Sequence, residues 1–66
     1  MTLGKIIRSR LKVLKKSQAW LAWEIGSSTA AVSNWCNDRA KPKVKFIRPL
    51  ADKLLLSVDD VLKWVK

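Results

Sequence analysis

Apolar residues recur every three or four positions along most of this chain, which is the spacing of one face of an α-helix. The first such stripe predicts a helix that ends near Lys16. Its members are Leu3, Ile6, Ile7, Leu11 and Leu14. Near the end of the chain, Ser57 and Asp60 form an S-x-x-D pair that predicts the start of a last helix. The side chains expected to pack inward from that helix are Val58, Val61 and Leu62.

The stretch from Gln18 to Asn37 predicts two short helices joined by a tight turn. Ser17 is a capping residue for the first of them, and Gly26 ends it because glycine adopts a left-handed conformation without steric cost. Ser27 or Ser28 caps the next helix. The residues expected to face the core are Leu21, Ala22, Ile25, Val32, Trp35 and Cys36.

A further helix is predicted from about Phe46 to Leu55, because proline is tolerated in the first turn of a helix and Pro49 then falls there. Its inward stripe is Ile47, Leu50, Ala51 and Leu54. The pattern therefore predicts an all-α fold of five helices.

Length and composition suit one folded domain, 1–66. The chain has 66 residues, is 48% hydrophobic and contains only two Gly and two Pro. We see no apolar run of the roughly 18 residues that a membrane span needs, and no apolar core of a signal peptide. We therefore expect a soluble, cytoplasmic protein.

The residue types argue against catalysis and against a metal site. The chain has no His and a single Cys, so an imidazole base, a zinc cluster and an internal disulfide are all excluded. We interpret Cys36 as a small buried apolar residue. We expect no enzyme activity, no cofactor and no metal.

The net charge of +9 indicates a polyanionic partner, and the positions of the charged residues along the chain indicate which kind of polyanion it is. Residues 1–17 carry six basic side chains and no acid, residues 18–36 carry one charge, and residues 37–53 carry a local charge of +4. Two basic flanks around a nearly uncharged centre are typical of a protein that reads a DNA groove, because cations meet phosphates on either side. The alternative is that this is a small soluble domain whose excess of basic residues has no functional role.

The outward side chains of the third helix fit the same hypothesis. They are Thr29, Ala30, Ser33 and Asn34. A solvated helix face normally carries Lys and Glu, whereas a helix that enters the major groove needs small polar side chains. Asn34 is suited to an adenine edge and Ala30 to a thymine methyl group.

Residues along the whole chain carry a family resemblance. The motif residues are Gln18, Leu21, Ala22, Ile25, Gly26, Val32 and Trp35, followed by WCNDRAKP and later LSVDDVLKW. This pattern resembles the Cro and phage-repressor family of helix-turn-helix regulators. The resemblance implies a compact five-helix, lambda-repressor-like bundle and a transcriptional regulator, most simply a repressor. It also implies double-stranded DNA as partner, a homodimer on a palindromic operator and a phage, prophage or host origin.

The resemblance also assigns site residues. It makes the segment from about Ser28 to Cys36 the recognition helix and places Gln18, Ser28 and Asn37 beside the DNA backbone. The cations expected to meet phosphates are Arg8, Arg39, Lys41 and Lys43. Many members have Glu at Cys36, paired with Arg at Leu11, so we expect an apolar contact here instead. Asp38 and Leu55 stand where Gly is frequent, which predicts a less regular loop after the third helix and a less regular end of the fourth.

One feature favours a protein-interaction module on the same fold. Trp20 and Trp23 lie one turn apart on the outer face of the second helix, and exposed tryptophans often mark interfaces. Some members of the family are antitoxins that bind both operator and a partner protein. The alternatives are that these rings cover neighbouring side chains, such as the stems of lysines in the first helix, or stack over sugar-phosphate at the edge of the DNA. The candidate dimer or partner surface comprises Trp20, Trp23, Val58, Trp64, Val65 and the loop before the fourth helix.

Overall fold

Five α-helices make up the computed structural model, which describes the backbone of residues 2–65 and the side chains of residues 2–63. Their bounds are α1 (Leu3–Leu14), α2 (Gln18–Ile25), α3 (Thr29–Cys36), α4 (Val44–Leu54) and α5 (Val58–Val65). The all-α prediction is confirmed, and its boundaries are off by at most two residues at the ends of α1 and the start of α4.

All five helices contribute to a common core, which contains most residues of the predicted stripes, whereas Ile6, Leu14 and Val58 are half-buried. The core residues are Leu3, Ile7, Leu11, Leu21, Ala22, Ile25, Val32, Trp35, Cys36, Ile47, Leu50, Ala51, Leu54 and Val61. Leu11 and Cys36 both belong to this core, as expected if an apolar contact stands at the two positions where the resemblance implies an Arg–Glu ion pair. Because each helix supplies only one stripe, the position of α3 depends mainly on the packing of α1 and α2 against it.

Hydroxyl caps explain where α1, α2, α3 and α5 begin. The side chains of Thr2, Ser17, Ser28 and Ser57 each accept a hydrogen bond from a backbone N–H three residues later. Each bond satisfies an amide that the helix leaves unpaired. The cap of α3 is therefore Ser28, which decides between the two serines considered from the sequence.

Left-handed residues end three of the helices, with φ of 58° at Lys15, 72° at Gly26 and 59° at Leu55. Lys15 shortens α1 relative to the predicted end near Lys16. Leu55 adopts the conformation that a glycine would adopt there, and its N–H donates to carbonyls of the last turn. The end of α4 is thus a regular cap in spite of the missing glycine, contrary to the expectation.

The predicted start of α4 near Phe46 is wrong, since the helix begins at Val44 and places Pro49 inside it. A proline at this position removes the hydrogen bond to the Lys45 carbonyl. Lys45 is exposed, so water can reach that carbonyl, and the loss is smaller than in a buried helix. The start is held by the Phe46 N–H, which donates to the Lys43 carbonyl at 2.9 Å, and by the Phe46 ring, which packs 5.6 Å from the Trp35 ring.

Two expectations about individual side chains are wrong. Leu62 is 39% exposed and does not pack inward with Val61, because it lies on the outer side of α5. Trp20 is half-buried against the core rather than exposed. Its ring lies under the Lys16 ammonium, 5.4 Å from the centroid, so a lysine at the end of α1 contacts this ring.

Candidate nucleic-acid interface

The outward face of α3 is small and polar. Val32, Trp35 and Cys36 point into the core. On the opposite side Ala30 is exposed, and Ser33 and Asn34 are half-buried, while Thr29 is exposed at the first position of the helix. The structure therefore brings the four predicted base-contact residues together on one accessible surface, which we call the α3 outer face.

On one side of this face, Asn37 joins α3 to a cation from α1. The Arg8 guanidinium donates a hydrogen bond to Asn37 Oδ1. The Asn37 side-chain nitrogen donates to the Ser33 carbonyl at 2.9 Å and lies 3.4 Å from Ser33 Oγ. Two predicted backbone-contact residues, Arg8 and Asn37, thus lie beside a predicted base-contact residue.

On the other side of the α3 outer face lies a groove of about 460 Å³, open to solvent, between α3 and the start of α4. Ser28 and Asn34 line it from the α3 side. Lys41, Lys43 and Lys45 line it from the loop and α4. Positive charge therefore flanks the α3 outer face on both sides, which is the arrangement that the charge distribution predicted.

The loop after α3 is held by Asp38. Its carboxylate accepts from the Thr2 hydroxyl at 2.8 Å and from the Gly4 backbone N–H at 3.1 Å. Asp38 adopts a left-handed conformation, with φ of 57°, where the family often has glycine. The expected irregularity is replaced by a tether, because the carboxylate also compensates the positive end of the α1 dipole.

Gly4 allows α1 to lie directly against the end of α3. A β-carbon at this position would be 2.5 Å from the Cys36 carbonyl oxygen and 2.8 Å from the Trp35 carbonyl oxygen. Such distances are far below ordinary contact, so only glycine fits this approach. The spacing of α1 and α3, and with it the place of Arg8 beside Asn37, depends on the missing side chain.

Cys36 lies beneath the same corner as a buried free thiol. Burial raises the pKa of the thiol, an effect that the Arg8 guanidinium opposes and the Asp38 carboxylate reinforces. The thiol therefore stays protonated at neutral pH, in agreement with its interpretation as a small apolar residue.

The remaining predicted site residues lie at the margins of α2 and α3. Gln18 is half-buried in the first turn of α2, and the Ser28 hydroxyl caps α3 by accepting a hydrogen bond from the Ala31 N–H at 3.1 Å. Arg39 is exposed in the loop, where its backbone N–H donates to the Asn34 carbonyl at 2.9 Å. Their contacts with DNA remain predictions.

The candidate dimer or partner surface is only partly described. Trp23 is 83% exposed and Val44, in the first turn of α4, is 86% exposed, whereas Val58 is half-buried against the core. The side chains of Trp64 and Val65 lie outside the described residues. A patch formed jointly by these residues stays a prediction.

Several residues of the site were missed from the sequence. Asp38 and Gly4 are hydrogen-bonded to each other across 34 residues of chain, and Lys45 lines the groove from the first turn of α4. Arg10, which the sequence pattern places only among the basic residues, donates from Nε to the Leu54 carbonyl at 2.9 Å and so fixes α1 to the end of α4. The local sequence pointed to only one of these residues, Asp38, which is acidic at a position after α3 where glycine is frequent in the family.

Among residues 2–65 no group of three or more His, Cys, Asp or Glu side chains is arranged to hold a metal ion. No helix in the same range is both long and apolar enough to cross a lipid bilayer.

Comparison with known proteins places this geometry in a family. The fold is similar to a crystal structure of the P22 c2 repressor protein in complex with synthetic operator 9T in the presence of Tl+, with a TM-score of 0.89, 35% sequence identity and 96% of each chain covered. The chain belongs to the Cro/phage-repressor helix-turn-helix family. It is also similar to the solution NMR structure of the P22 c2 repressor DNA-binding domain (1–76), with a TM-score of 0.86, 35% identity, and 96% of this chain and 83% of that chain covered. No family model matches the sequence, and no curated protein matches it closely.

Membership of this family makes α2 and α3 a helix-turn-helix unit. Gly26 forms its turn, and α3, the predicted recognition helix, has Ser28 as its cap and begins at Thr29. The predicted fold is confirmed in the number and order of its helices.

Proposed function

We propose that this protein binds double-stranded DNA sequence-specifically and represses transcription by occupying an operator. In this proposal α3 enters the major groove, and Thr29, Ala30, Ser33 and Asn34 meet base edges. The main support is the α3 outer face, which carries small polar side chains between two positively charged flanks. The similarity to the P22 c2 repressor, whose structure was solved with a synthetic operator, supports the same function.

The backbone contacts follow from the two flanks. Arg8 and Asn37 would meet a phosphate on one side of the groove, and Lys41 and Lys43 would meet phosphates on the other side. The backbone contacts also include Gln18, Ser28 and Arg39. Because such contacts read charge rather than sequence, they set affinity and register, and the α3 outer face sets specificity.

A homodimer completes the proposal. One eight-residue recognition helix reads few base pairs, and two copies on a palindrome double the site. Sedimentation of the protein with and without its selected duplex tests this, because we expect two chains per palindromic duplex. One chain per duplex at saturation would refute the dimer while leaving DNA binding intact.

The experiment that tests the function is selection of bound duplexes from a random library, followed by affinity measurements on the selected site. We expect a palindromic consensus. Asn34→Ala should then relax preference at one base pair per half-site and weaken binding by about 1 to 3 kcal/mol. If the duplexes bound by the wild type share no consensus sequence, sequence-specific binding is refuted. Equal weakening on all duplexes would make Asn34 a backbone contact.

A second candidate function is binding of a partner protein through α2, as in an antitoxin. The observation that favours it is Trp23, an aromatic side chain that is 83% exposed on the outer side of α2. Trp20 contributes less, because Lys16 and the core cover it. Tight, specific DNA binding by the isolated protein, unaffected by Trp23→Ser, would favour a self-sufficient repressor over this alternative.

DNA binding also sets the compartment in which the protein would act. A repressor has to reach the chromosome, so the proposal implies a cytoplasmic protein of bacterial or phage origin.

A further inference from the structure

Lys16, just before α2, is a cation that the proposed DNA contacts do not include, and the structure holds it in place. Its ammonium nitrogen lies 5.4 Å from the centroid of the Trp20 ring. Trp20 is half-buried against the core, and its backbone N–H donates to Ser17 Oγ at 3.0 Å, so the ring is a fixed platform. The Lys16 backbone is fixed as well, because its N–H donates to the Leu11 carbonyl at 2.9 Å. The ammonium is therefore held at the start of α2.

The charge of Lys16 is available to a ligand. Residues 1–17 contain no acid, and the one acid of residues 18–36, Glu24, pairs with Lys53 at 3.5 Å. Within the part of the chain that the structure describes, no carboxylate lies within salt-bridge distance of Lys16. An ammonium has three N–H groups, and the Trp20 ring occupies only one side of it, so the exposed Lys16 keeps donors for a second partner.

The place of Lys16 relative to the proposed DNA contacts follows from the chain. Lys16 is two residues before Gln18, which is proposed to contact the DNA backbone, and two residues of chain span at most about 7 Å. In a helix-turn-helix unit the first helix crosses the backbone while the recognition helix lies in the major groove. A lysine at the start of α2 is then close to the strand that Gln18 meets.

We propose that the Lys16 ammonium contacts a phosphate of the strand that Gln18 meets, and that Trp20 is its positioning residue. This inference rests on the proposed function, since it requires α3 in the major groove. A free lysine side chain has many rotamers and loses this freedom when it binds. The Trp20 ring restricts the side chain before DNA binds, so that less freedom is lost on binding. The ring thereby raises the affinity for DNA without contacting the DNA itself.

Salt dependence measures the phosphate contact, with the full chain and a duplex obtained by selection. Each neutralised phosphate contributes about −0.9 to the slope of log K against log salt, so Lys16→Gln should make the slope shallower by about 0.9 per subunit. Lys15→Gln is the matched control. It removes the same charge one residue earlier, and Lys15 has no ring contact among residues 2–63. It should change the slope by clearly less.

Variants of the ring test the role of Trp20. Trp20→Met fills the space with an apolar side chain but removes the ring. We expect it to weaken binding roughly two- to tenfold, the cost of ordering one long side chain, and to keep the salt slope of the wild type. Trp20→Phe keeps a ring face for the ammonium and should bind close to the wild type. In a Lys16→Gln background, Trp20→Met should cause no further loss, whereas a ring that itself stacks on sugar and phosphate would weaken binding there too.

Thermal unfolding of each variant confirms that the measured protein is folded. An unchanged slope in Lys16→Gln, or equal changes of slope in Lys16→Gln and Lys15→Gln, would overturn the phosphate contact. An equal loss from Trp20→Met with and without Lys16 would overturn the positioning role, as would equal weakening by Trp20→Phe and Trp20→Met. None of these results refutes DNA binding, which fails only if the duplexes bound by the wild type share no consensus sequence.

Discussion

Replacing Gly4 by alanine tests whether the contact between α1 and α3 is as close as the structure places it. The added methyl group would lie 2.5 Å from the Cys36 carbonyl oxygen and 2.8 Å from both the Cys36 carbonyl carbon and the Trp35 carbonyl oxygen. All three are backbone atoms of α3 near its C-terminal end, so no side chain can rotate to make room. One of the two helices has to shift.

Two effects of opposite sign set the magnitude. Alanine gains up to about 1 kcal/mol over glycine in a helix. Overpacking a well-filled site costs about 1 to 3 kcal/mol, and a clash with backbone belongs at the upper end. We expect a net loss of about 1 to 2 kcal/mol in the free energy of unfolding. For a domain of this size that corresponds to a fall in Tm of about 5 to 15 °C.

Urea denaturation followed by tryptophan fluorescence measures the change, because Trp35 is buried beside the clash. Ser9→Ala is the matched control, since Ser9 is exposed on the same helix and the substitution tests helix propensity without a clash. It should be neutral or slightly stabilising. If Gly4→Ala is as stable as the wild type, the close approach of α1 to α3 is refuted.

Three further predictions concern the same corner and the proposed DNA complex. Asp38→Asn should lower stability by about 0.5 to 1 kcal/mol in urea denaturation, because the charge beside the N-terminus of α1 is lost; no change would refute the tether. The raised pKa of the Cys36 thiol predicts that its contribution to stability is constant below the ordinary thiol pKa and is lost as pH rises through the pKa of the folded state. The difference in Tm between wild type and Cys36→Ala should therefore become less favourable to the wild type above about pH 9. A difference that does not change with pH would contradict this. If one subunit neutralises roughly four phosphates, log K should fall against log salt with a slope near −3.6, or about −7 for a dimer, and a flat response would exclude the electrostatic contacts.

Local chemistry explains why most of the helix boundaries could be predicted. Ser17, Gly26 and Ser57 form hydrogen bonds with backbone groups only a few residues away, so both partners of each bond can be recognised in the local sequence. The start of α4 was missed because the rule against proline in a helix was given more weight than packing. The Phe46 ring against Trp35 offsets the lost hydrogen bond of Pro49, and this contact joins residues of different helices.

The candidate site divides in the same way. The α3 outer face follows from helical periodicity, and the two charged flanks follow from the distribution of Lys and Arg along the chain. The contact of Arg8 with Asn37 spans 29 residues, and that of Thr2 with Asp38 spans 36. Such pairs depend on how α1 crosses α3, which no spacing rule contains.

Three contacts fix α1 to the C-terminal end of α3, and they explain how the short helix α3 is held in position. Gly4 sets the distance to the Cys36 carbonyl, Asp38 ties the following loop to the N-terminus of α1, and Arg8 holds Asn37. The opposite end of α3 is held by the Ser28 cap and borders the lysine-lined groove. Because α1 carries both the anchor and a flanking cation, a shift of α1 moves Arg8 relative to Ser33. Substitutions at the start of α1, far from any base in the proposed complex, should therefore alter DNA binding as well as stability.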